Sequence, residues 1–165
     1  MRQTHPFDPI VDARSKVLIL GSFPSLKSFE LNFYYAHPRN QFWPIIETLF
    51  DVRLADNEAR RTFALEKGIA MWDTYGALER TQGNSSDANL SNLKPNDIPS
   101  LLKQHPAIKA IFCTGKKSYD GIKKFFPDLD VAVSLLPSTS PAYAIMKFDD
   151  KLKAYQVIKE TLETD

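Results

Sequence analysis

The sequence feature that most constrains the fold is a short apolar run that stops at a glycine. Residues 17–20 read Val-Leu-Ile-Leu, and Gly21 then opens a turn of Ser, Phe, Pro and Ser. A run that is apolar at every position is typical of a strand buried on both faces of a parallel sheet. Ligands of open α/β sheets bind just beyond the carboxyl ends of such strands. We therefore expect a ligand site at the turn that begins at Gly21.

Further apolar segments alternate with segments of helical spacing. The predicted strands are residues 17–23, 69–75, 108–114 and 130–136. The predicted helices are residues 44–50, 57–67 (capped by Asp56 and ended by Gly68), a segment from Asn96 or Asp97 to His105, 116–126 and 151–162. This alternation predicts right-handed crossovers and a three-layer α/β/α fold with a central, mostly parallel four-stranded sheet. The polar residues 79–95 are predicted to form a long surface loop.

Length and composition indicate a single domain over residues 1–165. No apolar run approaches the ~20 residues that a membrane-spanning helix needs, and the N-terminal residues lack the apolar stretch of a signal peptide. The lone Cys113 cannot form an internal disulfide, which fits a reducing compartment. We therefore expect a cytoplasmic monomer that makes no contact with membranes.

The charge balance neither supports nor excludes a nucleic-acid partner. The chain carries 21 Lys and Arg against 20 Asp and Glu, for a net charge of +1. A phosphate-binding protein is usually more basic than this, although one positive face is sufficient. The three histidines and one cysteine lack the spacing of metal ligands. We expect neither a metal nor another cofactor.

Two separated motifs and one strand carry a resemblance to a known family. The first motif is Gly21-Ser22-Phe23-Pro24-Ser25, then Tyr34-Tyr35-Ala36-His37-Pro38, then Asn40-Gln41-Phe42-Trp43; the second is Leu136-Pro137-Ser138-Thr139-Ser140-Pro141-Ala142; the strand is Gly68-Ile69-Ala70-Met71-Trp72-Asp73. These segments resemble the uracil-DNA glycosylase superfamily, in particular its hypoxanthine and mismatch-specific branches. The resemblance spans roughly residues 15 to 160.

The resemblance implies an enzyme that initiates base excision repair on damaged single- or double-stranded DNA. It would flip a deaminated base, hypoxanthine by preference, out of the stack and hydrolyse the N-glycosidic bond. This is the activity of a DNA-deoxyinosine (hypoxanthine-DNA) glycosylase. No lysine lies within the motifs to form a Schiff base, so we expect a monofunctional enzyme. A uracil- or mismatch-specific glycosylase of the same fold and a catalytically silent nucleic-acid-binding member are the alternatives.

Asn40 is the expected catalytic residue, because the resemblance places it on the functionally important Asn of the hypoxanthine branch. A neutral amide can orient the attacking water, hydrogen-bond the base, or do both. The alternative role is a cap for the helix near Pro44. The expected base-binding residues are Gly21, Ser22, Phe23, Tyr35 and His37, with Tyr34 as an alternative to Tyr35 and a core role open for either tyrosine.

The second motif is rich in hydroxyls, which can donate to phosphate oxygens without a high net charge. The expected DNA contacts are Ser138, Thr139, Ser140, Pro141 and Tyr143, the last as a wedge. A simple turn before the last helix is the alternative. Uracil-specific relatives carry a carboxylate in the first loop and some members a His in the second, and this chain has neither. Asp73 and Asp87 could touch the site, but neither is assigned a role.

Overall fold

Helices and strands alternate along the chain, as the sequence predicts. The structure is a computed structural model that describes residues 2–4, 7–23, 33–80, 90–140 and 145–164. In chain order, the elements are β1 (Arg2–Thr4), β2 (Val17–Gly21), α1 (Phe42–Phe50), α2 (Asn57–Lys67), β3 (Ile69–Asp73), β4 (Tyr75–Arg80), β5 (Leu90–Pro95), α3 (Ile98–Gln104), β6 (Ala110–Thr114), α4 (Lys116–Phe125), β7 (Ala132–Leu136) and α5 (Phe148–Glu163).

Strands β2 and β6 form the interior of a four-stranded sheet with the order β3-β2-β6-β7. Every neighbouring pair is parallel, so Leu20 lies between Trp72 of β3 and Cys113 of β6. Parallel pairing brings the carboxyl ends of all four strands to the same side of the sheet. This arrangement confirms the predicted architecture. We call this side the carboxyl edge, defined by Gly21, Asp73, Thr114 and Leu136, and the opposite side the amino edge, defined by Val17, Ile69, Ala110 and Ala132.

The side chains of β2 alternate between two separate hydrophobic cores. Val17 and Ile19 pack in a core with residues of α1, α2 and α5. Leu18 and Leu20 pack on the other face with residues of α3 and α4. All four side chains are 0% exposed, and full burial of a side chain of this size contributes about 1.5–3 kcal/mol. Burial on both faces explains the continuous apolar run and confirms the three layers.

Capping residues set the helix ends near the sheet. The Asp56 carboxylate accepts a hydrogen bond from the first turn of α2, and Gly68 ends that helix with φ 84°; both agree with the prediction. Asp97, rather than Asn96, caps α3, because its carboxylate accepts from the backbone of that helix. The Asn96 amide instead donates to the carbonyl of Asp73 at 2.8 Å.

Two helices begin earlier than predicted. Helix α1 begins at Phe42, and Pro44 still lies in the first turn, where its missing N–H costs no helical bond. Helix α5 begins at Phe148, and Asp149 and Asp150 occupy its first turn, where negative charge suits the helix dipole. The first prediction began the helix at its proline, and the second began at Lys151, although Phe148 lies four positions before Leu152 and packs on the same core. None of the described helices is both long and apolar enough to cross a membrane.

The prediction of a surface loop over residues 79–95 is wrong at both of its ends. Strands β4 and β5 pair antiparallel, and β1 pairs with β4, which gives a second, three-stranded sheet in the order β1-β4-β5. Tyr75, predicted to end a central strand, instead begins β4. Residues 81–89 lie outside the described ranges. Hydrogen bonds between backbones can hold such a sheet together even when its residues do not alternate between apolar and polar. A prediction that depends on apolar alternation therefore misses it.

Candidate active site

Three strands end at a cluster of polar side chains on the carboxyl edge. Gly21 ends β2, Asp73 ends β3 and Thr114 ends β6. Asp73 is 3% exposed and Thr114 is 8% exposed. A Cβ atom added at Gly21 would lie 2.5 Å from Asp73 Oδ1 and 3.0 Å from Tyr35 Oη. The glycine is therefore required by the close approach of these two side chains to the backbone.

Tyr35 connects the first motif to this cluster. Its hydroxyl shares a hydrogen bond with Thr114 Oγ1 at 2.9 Å, and its ring stacks on Phe42 with centroids 4.3 Å apart. The backbone of Tyr35 has φ 54°, a left-handed conformation that costs a residue other than glycine about 1–2 kcal/mol. Burial and then the charge of Asp73 raise the pKa of the Tyr35 phenol, which therefore stays protonated at neutral pH.

Tyr34, the alternative to Tyr35, belongs to the hydrophobic core. It is 3% exposed, and its hydroxyl donates to the Asp8 carbonyl at 3.0 Å. The indole N–H of Trp43 donates to the Tyr34 carbonyl at 3.0 Å. Burial raises the pKa of the Tyr34 phenol. Of the two tyrosines, Tyr35 reaches the carboxyl edge, whereas Tyr34 fixes the loop to the core.

The side chain of Asn40 is oriented by the start of α1. Its Oδ1 accepts a hydrogen bond from the Phe42 N–H at 2.9 Å, in an Asx-turn. Because a backbone N–H donates, the facing atom must be the amide oxygen, and this sets the direction of Nδ2. Nδ2 makes no hydrogen bond within the described ranges. The N-cap residue of α1 is Gln41, which makes no side-chain cap bond, so Asn40 holds the start of the helix from one position earlier. This bond and a role as amide donor use different atoms of Asn40 and are compatible.

His37 stabilises the turn that precedes Asn40. Its Nδ1 accepts from the Arg39 N–H at 3.0 Å, so a neutral imidazole carries its proton on Nε2. The His37 carbonyl accepts from the Asn40 N–H at 2.9 Å. Across the described part of the chain, no three His, Cys, Asp or Glu side chains come close enough to hold a metal ion.

The second motif is bound directly to the first. The backbone N–H of Gln41, the neighbour of Asn40, donates to the Thr139 carbonyl at 3.0 Å. Gly115, with φ 118°, donates from its N–H to the Leu136 carbonyl at 2.9 Å. These bonds confirm that the two motifs, distant in sequence, meet at the same edge of the sheet.

The remaining predicted contacts differ in accessibility. Phe23 is 9% exposed and Thr139 is 2% exposed, so both side chains lie against the protein. Ser22, Ser138 and Ser140 are partly buried. Ser138 Oγ accepts from the Ser140 N–H at 3.1 Å, which shapes the loop. Pro141 and Tyr143 lie outside the described residues.

Two residues have features that the sequence did not predict, one at the site and one just after the second motif in the chain. Asp73 faces the Gly21 backbone, as the Cβ distance shows. The sequence shows that Asp73 is a polar residue at a strand end. It does not show in which direction the side chain points. Ile145 follows the second motif and is 90% exposed. No sequence pattern separates this isoleucine from a core residue, because apolar residues are normally inside.

Comparisons with known proteins agree with this geometry. The profile of the Uracil DNA glycosylase superfamily matches residues 9–163. A Hypoxanthine DNA glycosylase of Methanosarcina barkeri is 33% identical over 114 residues, which cover 68% of this chain and 71% of the relative. A Hypoxanthine DNA glycosylase of Methanosarcina acetivorans is 28% identical over 138 residues, which cover 82% and 85%.

The fold is also similar to a solved structure. The solution NMR structure of a candidate uracil DNA glycosylase from Methanosarcina acetivorans has a TM-score of 0.85 and 25% identity, and the match covers 99% of this chain and 100% of that one. The profile match includes both motifs and every strand of the central sheet. The chain therefore belongs to the uracil DNA glycosylase superfamily.

Proposed function

We propose that this chain is a monofunctional DNA glycosylase that releases deaminated bases, and hypoxanthine by preference, through hydrolysis. Two relatives named Hypoxanthine DNA glycosylase support the choice of base. The observation that carries the proposal is the geometry of Asn40. Its oxygen accepts from the Phe42 N–H, so its Nδ2 is available as a donor, and the next residue, Gln41, is bonded through its backbone to the loop that contains Thr139.

The reaction breaks the bond between C1′ of the sugar and N9 of the base. In the transition state the sugar becomes cation-like and the departing base gains negative charge. The Asn40 N–H can donate to that base or orient the water that attacks C1′. The water oxygen forms the new bond to C1′ and its proton leaves to solvent, while the base takes up a proton as it departs.

The residues at the carboxyl edge offer aromatic and hydroxyl groups to a base. Tyr35 is a protonated phenol whose ring stacks on Phe42, and Asp73 and Tyr35 occupy the space beside Gly21 at the end of β2. This site gives a poor leaving group less help than a site with the carboxylate and His of uracil specialists. It should therefore act best on bases extruded from weak pairs, because unpairing costs less there. Hypoxanthine opposite thymine is such a base.

The second motif is the proposed DNA-contacting surface. The hydroxyls of Ser138 and Ser140 can contact phosphate oxygens. Ile145 exposes 90% of its surface just after this loop, and an apolar side chain can enter the space that an extruded base leaves. In the proposal, Ile145 shares this role with Tyr143, the predicted wedge. Few charges are involved, so we expect the salt dependence of binding to correspond to about three to five phosphate contacts.

The test uses purified protein, with duplexes that carry hypoxanthine opposite thymine or uracil opposite guanine. Release is measured by alkaline cleavage under single-turnover conditions. We expect hypoxanthine to leave at least as fast as uracil. Asn40→Asp keeps the oxygen that accepts from Phe42 but removes the amide donor. If the donor serves the reaction, Asn40→Asp and Asn40→Ala should both be slow; if Asn40 is a helix cap alone, Asn40→Asp should match the wild type.

Other outcomes separate the parts of the proposal. Robust uracil release without hypoxanthine release would contradict the base assignment and leave the superfamily intact. Binding without release of either base would favour a catalytically silent member. Borohydride treatment during the reaction should trap no protein–DNA adduct, since the proposed hydrolysis forms no Schiff base. Excess chelator should leave the rate unchanged, because the proposed chemistry requires only water.

A further inference from the structure

Helix α5 presents two buried polar side chains, one turn apart, to the two motifs. Lys151 is 2% exposed, and its Nζ donates to Gln41 Oε1 at 2.7 Å. Tyr155 is 0% exposed, and its hydroxyl donates to the Pro137 carbonyl. The first bond ends on the neighbour of Asn40, and the second ends on the strand-side end of the second motif. One rigid element is thus attached to both loops.

The burial of Lys151 calls for an explanation. Lysine is almost never fully buried unless its ammonium has partners, and removing it from water is costly. Burial lowers the pKa of the Lys151 ammonium. A methionine could fill the same volume without this cost. A methionine cannot donate a hydrogen bond, whereas the Lys151 ammonium donates to Gln41.

Gln41 is held from two sides. Its side chain accepts from Lys151, and its backbone N–H donates to the Thr139 carbonyl at 3.0 Å. Its own carbonyl accepts from Ile45 at 2.9 Å as α1 begins. Asn40 is covalently joined to this residue, so a shift of Gln41 moves the Asn40 amide relative to the second motif.

We propose that Lys151 is a positioning residue for base excision, which acts through Gln41 to set the Asn40 amide against the second motif. Lys151 itself does not contact the base or the reacting atoms. The inference rests on the proposed glycosylase activity. Displacements of about 1 Å in a catalytic group can lower a rate by about a hundredfold, so loss of this bond should appear mainly in the excision step.

The experiment is a double-mutant cycle with Lys151→Met and Gln41→Leu. Each variant is measured for its single-turnover excision rate, its affinity for duplex that carries an abasic-site analogue, and its Tm. We expect Lys151→Met to be about tenfold to a hundredfold slower, with affinity for the product analogue within about twofold of wild type. The exposed neighbour Lys153 supplies the control, and Lys153→Met should behave as wild type.

The double variant decides between positioning and simple stability. In the double variant neither the Lys151 ammonium nor the Gln41 amide is left buried without the other, so part of the Tm lost in the single variants should be recovered. The excision rate should stay low, because the hydrogen bond between Lys151 and Gln41 is still missing. Gln41→Glu keeps the acceptor and should excise within about threefold of wild type. Recovery of the rate together with the Tm, or a wild-type rate for Lys151→Met, would overturn the inference.

The design also separates this inference from the proposed function. If the wild-type protein released neither hypoxanthine nor uracil, the proposed function would fail first. If the wild type is active and the Lys151→Met/Gln41→Leu variant is equally fast, the glycosylase activity stands and the positioning role falls.

Discussion

The two edges of the central sheet are built from similar parts but differ in what they bury. At the amino edge, Asp12 forms an Asx-turn with the Arg14 N–H, and Gly68 takes a left-handed conformation. The buried hydroxyl there is Ser15, which accepts from the Asp12 N–H at 3.1 Å. The other buried polar residues of the described ranges lie at the carboxyl edge, in the loops beyond it and in the first turns of α4 and α5, namely Asp73, Thr74, Thr114, Ser118, Thr139 and Lys151.

The difference shows that this fold buries most of its polar side chains near the carboxyl edge. Buried polar groups need hydrogen-bond partners and contribute little net stability compared with apolar packing. The amino edge is closed mainly by backbone bonds, such as those from Lys16 and Val17 to the Gly68 carbonyl. The carboxyl edge places a carboxylate, hydroxyls and an ammonium around two loops. Matched substitutions at the two edges can therefore separate stability from catalysis.

The largest difference is expected between the two Asx-turns. Asn40→Ala should lower single-turnover excision by about a hundred- to a thousandfold, the loss expected for one transition-state contact. Asp12→Ala removes an equivalent turn bond and should leave the rate within about twofold. Both rates are measured on the base that the wild type releases fastest. A rate for Asn40→Ala near that of Asp12→Ala would reduce Asn40 to a turn residue.

The two glycines give the second comparison. Gly21→Ala places a Cβ 2.5 Å from Asp73 Oδ1, so Asp73 and Tyr35 must move, and excision should fall about tenfold to a hundredfold. Gly68→Ala forces a left-handed alanine at φ 84° and should cost about 1–2 kcal/mol of unfolding free energy. Its excision rate at a temperature where it is folded should equal that of wild type. Equal rates for both variants would show that the carboxyl edge tolerates displacement.

The third comparison uses buried hydroxyls. Thr114→Val removes the partner of the Tyr35 hydroxyl and should slow excision about three- to tenfold, with a stability loss of about 1 kcal/mol. Ser15→Ala should lose about as much stability, ~1 kcal/mol, with no change in rate. Urea unfolding and single-turnover kinetics on the same samples provide both numbers. The comparison would fail if the two variants slowed excision equally.

The smallest effect on excision is expected from a thiol reagent directed at Cys113, which lies beneath the carboxyl edge. Cys113 precedes Thr114, is 0% exposed, and burial raises the pKa of its thiol to about 11. At pH 8, about one thiol in a thousand would be ionised, so alkylation of the folded protein should be more than about a hundredfold slower than in denaturant. Excision should be unaffected by the reagent. Rapid labelling of the folded protein would indicate that the carboxyl edge opens into the core beneath it.

Local patterns in the sequence were sufficient for much of the fold. The run Val17–Gly21, the Asp56 cap and the Gly68 helix end were all predicted, because each depends on the backbone and a few neighbouring residues. The antiparallel sheet β1-β4-β5 was missed, because its pairing is backbone to backbone and its polar residues carry no apolar period. The first strand lies more than seventy residues from its partner β4.

The candidate site also has features that the sequence predicted and features that it did not. Both motifs and their common edge were predictable, because parallel strands bring their carboxyl ends together. The sequence favoured Tyr35 over Tyr34 but left a core role open for either, because the distinction depends on which hydroxyl reaches Thr114, 79 positions from Tyr35. The sequence likewise left Asp73 unassigned, since the direction of its side chain is set by the glycine across the strand pair.

The sequence by itself determined the elements of this protein, the glycine that ends the first central strand and the family to which its motifs point. The tertiary structure decided which side chains meet, among them Tyr35 with Thr114 and Lys151 with Gln41. The physical reason is range. Strand period, caps and turns depend on residues a few positions apart, whereas the bonds of Tyr35 to Thr114 and of Lys151 to Gln41 span 79 and 110 positions and depend on how the segments pack together.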